Sequence, residues 1–224
     1  MILDGNVALV TGASRGLGAA VAIALAALGA HVVLVARTQG GLEETDDAVR
    51  AVGGVASLLP MDLRDGDQVD LIAPSLMQRF GRLDILISNA GDIGTLTPVP
   101  HIDMKEWAGV LALNVEAPLR LIHGCAPLLL AAPAGRAVFV TADAATTSRA
   151  YWGHYAASLA ATRSLALTWA AETATTRLRV NVFDPGPMAT RLRLRAFPGE
   201  PADTHPTPAS VAPALVALCL PDLD

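Results

Sequence analysis

Cysteine is scarce in this chain, which has two among its 224 residues, Cys125 and Cys219. The two lie far apart in apolar surroundings, so we expect buried, reduced thiols rather than a disulfide framework or a metal site. Reduced thiols are typical of the cytoplasm, and we expect the protein to be cytoplasmic.

Long runs of basic residues are also missing. The net charge is −5, and arginines alternate only briefly between Arg191 and Arg195. A nucleic-acid-binding surface usually needs a basic patch or stripe. We therefore expect no nucleic acid partner.

Long apolar runs are missing as well. No stretch reaches the roughly 18 to 20 uninterrupted residues that span a bilayer. The first nine residues lack the basic region and apolar core of a signal peptide. The sequence therefore predicts neither membrane insertion nor export.

What is present is an alternation of short β-branched or leucine-rich runs with longer alanine-rich segments. This pattern predicts βαβ units around a parallel sheet covered on both faces, in one α/β domain spanning residues 1–224. Right-handed crossovers favour the doubly wound Rossmann order 3-2-1-4-5-6. The predicted strands are residues 7–10, 31–35, 56–61, 85–88, 137–140 and 179–183. The predicted helices are residues 16–28, 40–52, 66–80, 103–130, 151–174 and 208–220.

A glycine-rich segment, residues 11–18, directly follows the first predicted strand and opens the first helix. Glycines there permit a tight turn and let phosphate oxygens approach backbone N–H groups. The strand–turn–helix context is what such a motif requires to be functional. The predicted phosphate cradle is Gly12, Ser14, Arg15, Gly16, Leu17 and Gly18.

The spacing Thr-Gly-x3-Gly-x-Gly in this segment resembles that of the short-chain dehydrogenase/reductase family, and the resemblance extends along nearly the whole chain. Further landmarks follow the third, fourth and sixth predicted strands and lie in the long helix 103–130. Each also has a local alternative, such as an asparagine that satisfies nearby backbone groups. The resemblance implies that the cofactor contacts Asp62, Leu63, Asn89, Ala90, Gly91, Tyr155, Pro185, Gly186 and Thr190, and that Asn114 belongs to the catalytic set.

Cofactor choice depends on charge at the end of the second strand, where a carboxylate would favour a free ribose 2′-hydroxyl. The strand here runs into Arg37, and Arg15 stands in the glycine loop. Two guanidinium groups suit a 2′-phosphate, so we predict NADP(H) over NAD(H). The alternative is two solvated surface arginines.

The catalytic end is incomplete. The resemblance implies a Ser-Tyr-Lys set in which tyrosine donates a proton, serine holds the carbonyl oxygen, and lysine lowers the tyrosine pKa. Tyr155 is present, but Leu159 follows one helical turn later, and Ala142 stands thirteen residues before the tyrosine. A phenol without a nearby cation is a poor acid–base catalyst at neutral pH.

Four residues are candidate substitutes for the missing groups: Thr141, Asp143, His154 and Arg163. We expect Thr141 and Asp143 to face away from the site, and His154 to lie about 100° around the helix from the tyrosine. The aromatic cluster at 151–155 alternatively packs one wall of an apolar substrate pocket.

The part of the chain after the sixth predicted strand departs from the family pattern. Residues 197–208 are rich in proline and predict a loop over the site or a plain surface connection. The sequence then reaches residue 224 without a seventh strand, which we expect the sheet to lack.

Two functions remain open. The first is an NADP(H)-dependent oxidoreductase that transfers hydride between the nicotinamide and an alcohol or carbonyl, with Tyr155 as proton donor. The second is a nucleotide sensor, or a partner or structural subunit, that kept the cofactor cradle and lost the chemistry. The resemblance also implies a homodimer formed through helices 103–130 and 151–174.

Overall fold

The parallel sheet at the centre of the computed structural model has the predicted strand order. The structure describes residues 1–201 and 203–221, and within them the sheet has six parallel strands in the order β3-β2-β1-β4-β5-β6. No seventh strand occurs in that part of the chain. The strands are β1 (Val7–Thr11), β2 (His31–Ala36), β3 (Val55–Pro60), β4 (Ile85–Ser88), β5 (Arg136–Val140) and β6 (Arg179–Phe183).

Helices cover both faces of the sheet, which explains why the strands are apolar almost throughout. Ala8 and Val10 pack on one face with the first and the last helix, whereas Leu9 packs on the other. The helices are α1 (Gly16–Ala27), α2 (Gln39–Ala51), α3 (Gly66–Asp70), α4 (Ile72–Phe80), α5 (Met104–Leu111), α6 (Ala117–Ala131), α7 (Gly153–Glu172), α8 (Arg191–Ala196) and α9 (Pro208–Ala217).

The sequence predicted one continuous helix over residues 66–80. That prediction was wrong, because the segment forms two helices. The first ends at Asp70 and the second begins at Ile72. Pro74 lies four residues after Asp70. Its ring lacks an N–H and would collide with the Asp70 carbonyl in a continuous helix, so the chain breaks there.

The predicted helix 103–130 is also interrupted, by a π-helical turn at Ala112–Glu116. Pro118 follows this turn and cannot donate to the carbonyl oxygen of Asn114 four residues earlier. That oxygen instead accepts a hydrogen bond from the hydroxyl of Thr162 on α7. Such π turns are frequent at functional sites.

The segment after β6 contains a short helix, α8, that the sequence pattern did not predict. Three alternating arginines and two leucines show no helical stripe, but Thr190 caps the first turn by accepting a hydrogen bond from the Arg193 N–H at 3.1 Å. None of the helices described is both long and apolar enough to cross a membrane.

Candidate functional site

A cleft of about 850 Å³ runs along the carboxyl ends of the strands. In doubly wound sheets, ligands bind at this edge, where the strand order reverses between β1 and β4. The cleft is lined by the predicted site residues Gly12, Ser14, Arg15, Gly16, Leu17, Arg37, Asp62, Leu63, Asn89, Ala90, Gly91, Asn114, Tyr155, Pro185, Gly186 and Thr190. Gly18 lies outside the lining.

The glycine loop forms the floor of the cleft between β1 and α1. Gly12 and Gly16 have positive φ angles of 66° and 59°, which L side chains rarely adopt. A Cβ on Gly18 would lie 2.3 Å from the Gly12 carbonyl oxygen, so this glycine permits close packing of helix on strand. At the N-cap of α1, Arg15 makes no side-chain capping bond within the described residues, and the first residues of the helix, Gly16 and Leu17, line the cleft.

Asn89 braces this loop from the neighbouring strand. Its side-chain amide donates to the Thr11 carbonyl oxygen at 2.9 Å, and its backbone N–H donates to the Thr11 hydroxyl at 2.9 Å. The Ala90 N–H donates to the same hydroxyl at 3.1 Å. The asparagine therefore has a structural role at the cleft, whether or not it also touches a cofactor.

Arg37 stands at the rim of the cleft with 60% of its side chain exposed. Its nearest carboxylate is Asp62, at 3.9 Å, which is half exposed and leaves the pair largely solvated. Arg15 is exposed at the same end. Both guanidinium groups can therefore meet an anion in the cleft.

The turn after β6 closes the opposite side. Gly186 has a φ of 66°, and its N–H donates to the Asp184 carboxylate at 2.9 Å. Pro185 and Thr190 line the cleft from this turn. Because its hydroxyl caps α8, Thr190 couples the position of that helix to the cleft wall.

Tyr155 occupies an apolar corner of the cleft. It is 8% exposed and packs in one cluster with Leu159, Ile93 and Ala142, so the two replaced catalytic positions surround the phenol with hydrocarbon. Burial raises the pKa of Tyr155 to about 12, with further contributions from three nearby carboxylates. The phenol is therefore held in its protonated form.

Asn114 is buried beside this corner at the π turn. Its side-chain oxygen accepts from the Asp92 N–H, and its amide donates to the Asp92 carbonyl oxygen and the Ser158 hydroxyl, all at 2.9 Å. These bonds fix the backbone at Asp92, which directly follows the cleft-lining residues 89–91. Both N–H groups of the Asn114 side chain are therefore engaged in hydrogen bonds within the protein.

The candidate substitutes differ in position. Thr141 and Asp143 both belong to the segment that lines the cleft, where β5 ends at Val140 and a 3-10 turn begins at Asp143. The Thr141 hydroxyl is enclosed and has no hydrogen-bond partner in the described residues. His154 and Arg163 do not line the cleft.

His154 is fully buried, and neither ring nitrogen has a partner among the described residues. Its ring fits against Gly94, where an added Cβ would meet the ring at 2.1 Å. The single lysine of the chain, Lys105, lies on α5 outside the cleft. Neither residue supplies the missing cation beside Tyr155.

Sequence reasoning missed an ionic cluster that joins α8 to the loop after β4. Asp92 accepts hydrogen bonds from Arg195 at 2.9 Å and from Arg64 at 3.0 Å, and Arg195 also donates to the Gly94 carbonyl oxygen at 3.2 Å. Burial alone would raise the pKa of Asp92, but the hydrogen bonds from Arg195 and from the Gly94 N–H, with the charges of Arg195 and Arg64, outweigh it and leave that pKa below its usual value. Asp92 and Arg195 are 103 positions apart, so no local sequence pattern indicates that they pair.

An aromatic wall continues from Tyr155. The ring centroid of Trp152 lies 5.7 Å from that of Tyr155 and 5.9 Å from that of Phe197. Phe197 comes from the start of the proline-rich segment, and Pro208 at its end also lines the cleft. The two ends of that segment therefore lie at the site, through the contact of Phe197 with Trp152 and through Pro208.

Comparison with known proteins agrees with this architecture. A sequence model of the short chain dehydrogenase family matches residues 6–200. YciK, an uncharacterised oxidoreductase of Escherichia coli K12, is 33% identical over 215 residues, covering 95% of this chain and 85% of its own.

Two solved structures are also similar over nearly their whole length. A short chain dehydrogenase from Pseudomonas syringae is 36% identical, with a TM-score of 0.94, covering 99% of this chain and 91% of that one. A short chain dehydrogenase from Shigella flexneri 2a, complexed with NADP, is 33% identical, with a TM-score of 0.93, covering 99% and 93%.

Proposed function

This chain belongs to the short-chain dehydrogenase/reductase family, and from that premise we propose that it is an NADP(H)-binding oxidoreductase that interconverts an alcohol and a carbonyl compound with an incomplete catalytic set. The observation that carries the proposal is one continuous cleft running from the glycine loop to Tyr155. The NADP bound by the Shigella relative supports the choice of cofactor.

The residues at the floor of the cleft fit a dinucleotide phosphate. Gly12 and Gly16 keep side chains away from the floor, and the first N–H groups of α1 suit an anion there. Arg15 and Arg37 are exposed at the rim, where their guanidinium groups would hold a 2′-phosphate by charge-assisted hydrogen bonds. When bound, the nicotinamide would supply or accept the hydride.

The residues of the chemical end have unequal roles. Tyr155 is the one acid of the inferred set that remains, and it donates a proton to the carbonyl oxygen. Asn114 holds the loop at Asp92 and thereby the shape of the cleft. With the pKa of Tyr155 at about 12, proton transfer is less favourable than from a phenol beside a lysine. We therefore expect turnover to be slow.

One observation favours the second candidate function, a nucleotide sensor or partner subunit without turnover. Ala142 and Leu159 belong to the apolar cluster around Tyr155, so the two positions that would carry the serine hydroxyl and the lysine ammonium carry hydrocarbon instead. Such a protein would bind NADP(H) through the same cradle and use the bound state as a signal.

An activity assay separates the two functions. The protein is incubated with NADPH and a broad panel of carbonyl compounds, and oxidation of NADPH is followed for wild type, Tyr155→Phe and the double variant Leu159→Lys, Ala142→Ser. Wild-type activity that Tyr155→Phe abolishes supports the oxidoreductase. Activity that appears only in the double variant supports the sensor.

We further propose a cytoplasmic homodimer formed through α5, α6 and α7. Leu119 and Leu130 on α6 and Leu167 on α7 are large apolar side chains that are exposed, which supports an interface there. Light scattering should give the mass of a dimer, and Leu119→Glu with Leu167→Glu should give the mass of a monomer. A monomeric wild type would contradict this assembly.

A further inference from the structure

The cleft wall beside the aromatic rings carries three arginines whose charges face different surroundings. Arg193 makes two hydrogen bonds of 2.6 Å with Glu200, and Arg195 makes one of 2.9 Å with Asp92. Arg149 also lines the cleft, and across residues 1–201 and 203–221 no carboxylate pairs with it. Its positive charge is therefore available to a ligand.

Aromatic faces hold this guanidinium in place. Its carbon Cζ lies 5.3 Å from the ring centroid of Trp152 and 5.8 Å from that of Phe197. Cation–π contact orients a guanidinium without neutralising it, so its N–H groups keep their capacity to donate.

The backbone that carries Arg149 is strained. Tyr151 has a φ of 73°, which is rare for any residue but glycine, and its carbonyl oxygen accepts a hydrogen bond from the Thr97 N–H at 3.1 Å. This residue lies between Arg149 and Trp152, so the strained turn sets the positions of both. Strain of this kind concentrates at ligand-binding sites.

We propose that Arg149 binds a carboxylate of the substrate, which makes the substrate an oxo acid or the corresponding hydroxy acid. The inference rests on the proposed function and names the substrate class of that same site. A guanidinium pairs with a carboxylate through two parallel hydrogen bonds. Asp143 and Asp184 also line the cleft and contribute to the raised pKa of Tyr155, so a single negative charge fits this end better than a doubly charged phosphate.

The wall also limits where the carboxylate lies relative to the reacting carbonyl. The indole of Trp152 contacts both groups: Tyr155 lies 5.7 Å away between ring centroids, and the Arg149 guanidinium carbon lies 5.3 Å from the indole centroid. A substrate that reaches both groups passes along this one indole ring. A short aliphatic chain between the carbonyl and the carboxylate fits that path.

Calorimetry of matched acids and esters tests the proposal without requiring turnover. Binding of NADP⁺ is measured first, and the saturated protein is then titrated with 4-oxopentanoate, 5-oxohexanoate, 6-oxoheptanoate and 7-oxooctanoate and with the methyl ester of each. The ester keeps the carbonyl and the chain but loses the charge. Arg149→Gln is compared with Arg177→Gln, which removes the same charge from an exposed arginine outside the cleft.

We expect wild type and Arg177→Gln to bind at least one acid about tenfold more tightly than its ester, as suits one charge-assisted contact. Arg149→Gln should bind acid and ester equally. Equal binding of every acid and ester by wild type, no binding of any acid, or a preference that survives Arg149→Gln overturns the inference. Failure of NADP⁺ to bind contradicts the proposed function instead. The acid preference is then measured on the protein alone, where the same wall predicts the same result.

Discussion

Replacing Leu159 by lysine should lower the pKa of Tyr155, because it restores a cation one helical turn from the phenol. Both side chains lie in the same apolar cluster, at 7% and 8% exposure, so the two groups would interact with little intervening solvent. We expect the Tyr155 phenol to titrate at a lower pH in Leu159→Lys than in wild type. In Leu159→Met, which changes shape but not charge, it should titrate as in wild type.

Two opposing effects set the size of the change. A cation at close range lowers the pKa of an acidic group by roughly 1 to 3 units. Burial of the new ammonium disfavours its charged form, but Asp143 and Asp184, which raise the pKa of Tyr155 in the wild type, would stabilise it. From the present value of about 12, the pKa of Tyr155 should therefore fall toward the ordinary value of 10.0.

The assay is favourable because the chain has only two tyrosines, Tyr151 and Tyr155. In a Tyr151→Phe background, the carbon-13 signal of labelled tyrosine Cζ reports one phenol, and its shift with pH gives the pKa directly. Circular dichroism at each pH confirms that the protein is folded. A wild-type pKa near 10, or an unchanged pKa in folded Leu159→Lys, would refute the reasoning.

The remaining predictions concern stability and cofactor binding. Gly18→Ala should lower the free energy of unfolding by about 1 to 3 kcal/mol and abolish NADPH binding, because the new Cβ would meet a backbone carbonyl oxygen at 2.3 Å. Gly40→Ala, whose Cβ meets nothing within 4 Å, is its control in denaturant unfolding. Arg15→Gln and Arg37→Gln should each weaken NADPH binding roughly tenfold or more in calorimetry while leaving NADH binding unchanged, and equal loss for both nucleotides would contradict a 2′-phosphate contact. Because the folded state raises the pKa of Tyr155 from 10.0 to about 12, its contribution is complete below pH 10 and is lost as pH rises through that interval. Between about pH 10 and pH 12, the free energy of unfolding of wild type should fall on the order of 2 to 3 kcal/mol more than that of Tyr155→Phe. Denaturant unfolding at each pH measures both, and an equal pH dependence for the two proteins would count against the raised pKa.

The sheet was predictable because its four central strands, β1, β2, β4 and β5, are buried on both faces and form short apolar runs between helical segments. The site followed from the sheet. Segments that are far apart in sequence, such as those at Gly12, Asn89 and Gly186, come together because the carboxyl ends of parallel strands meet at one edge.

The helix breaks had a visible signal that the periodicity concealed. Pro74 and Pro118 each remove the N–H that would bond to the carbonyl oxygen four residues earlier. Giving these prolines more weight than the apolar stripe would have predicted both interruptions.

Other parts of the site had no local signal. The bond between Asp92 and Arg195 and the enclosure of His154 against Gly94 depend on how distant segments pack. The stacking of Arg149 on Phe197 likewise depends on the path of the segment after β6. Such contacts are decided by tertiary packing, so residue type and spacing along the chain do not reveal them.

The central claim, that the cleft beside the glycine loop holds NADP(H), is tested most directly by titration calorimetry of the folded protein with NADPH and with NADH. The account predicts binding of both nucleotides, with the lower dissociation constant for NADPH. Absence of heat with either nucleotide, from protein whose circular dichroism shows it folded, would contradict it.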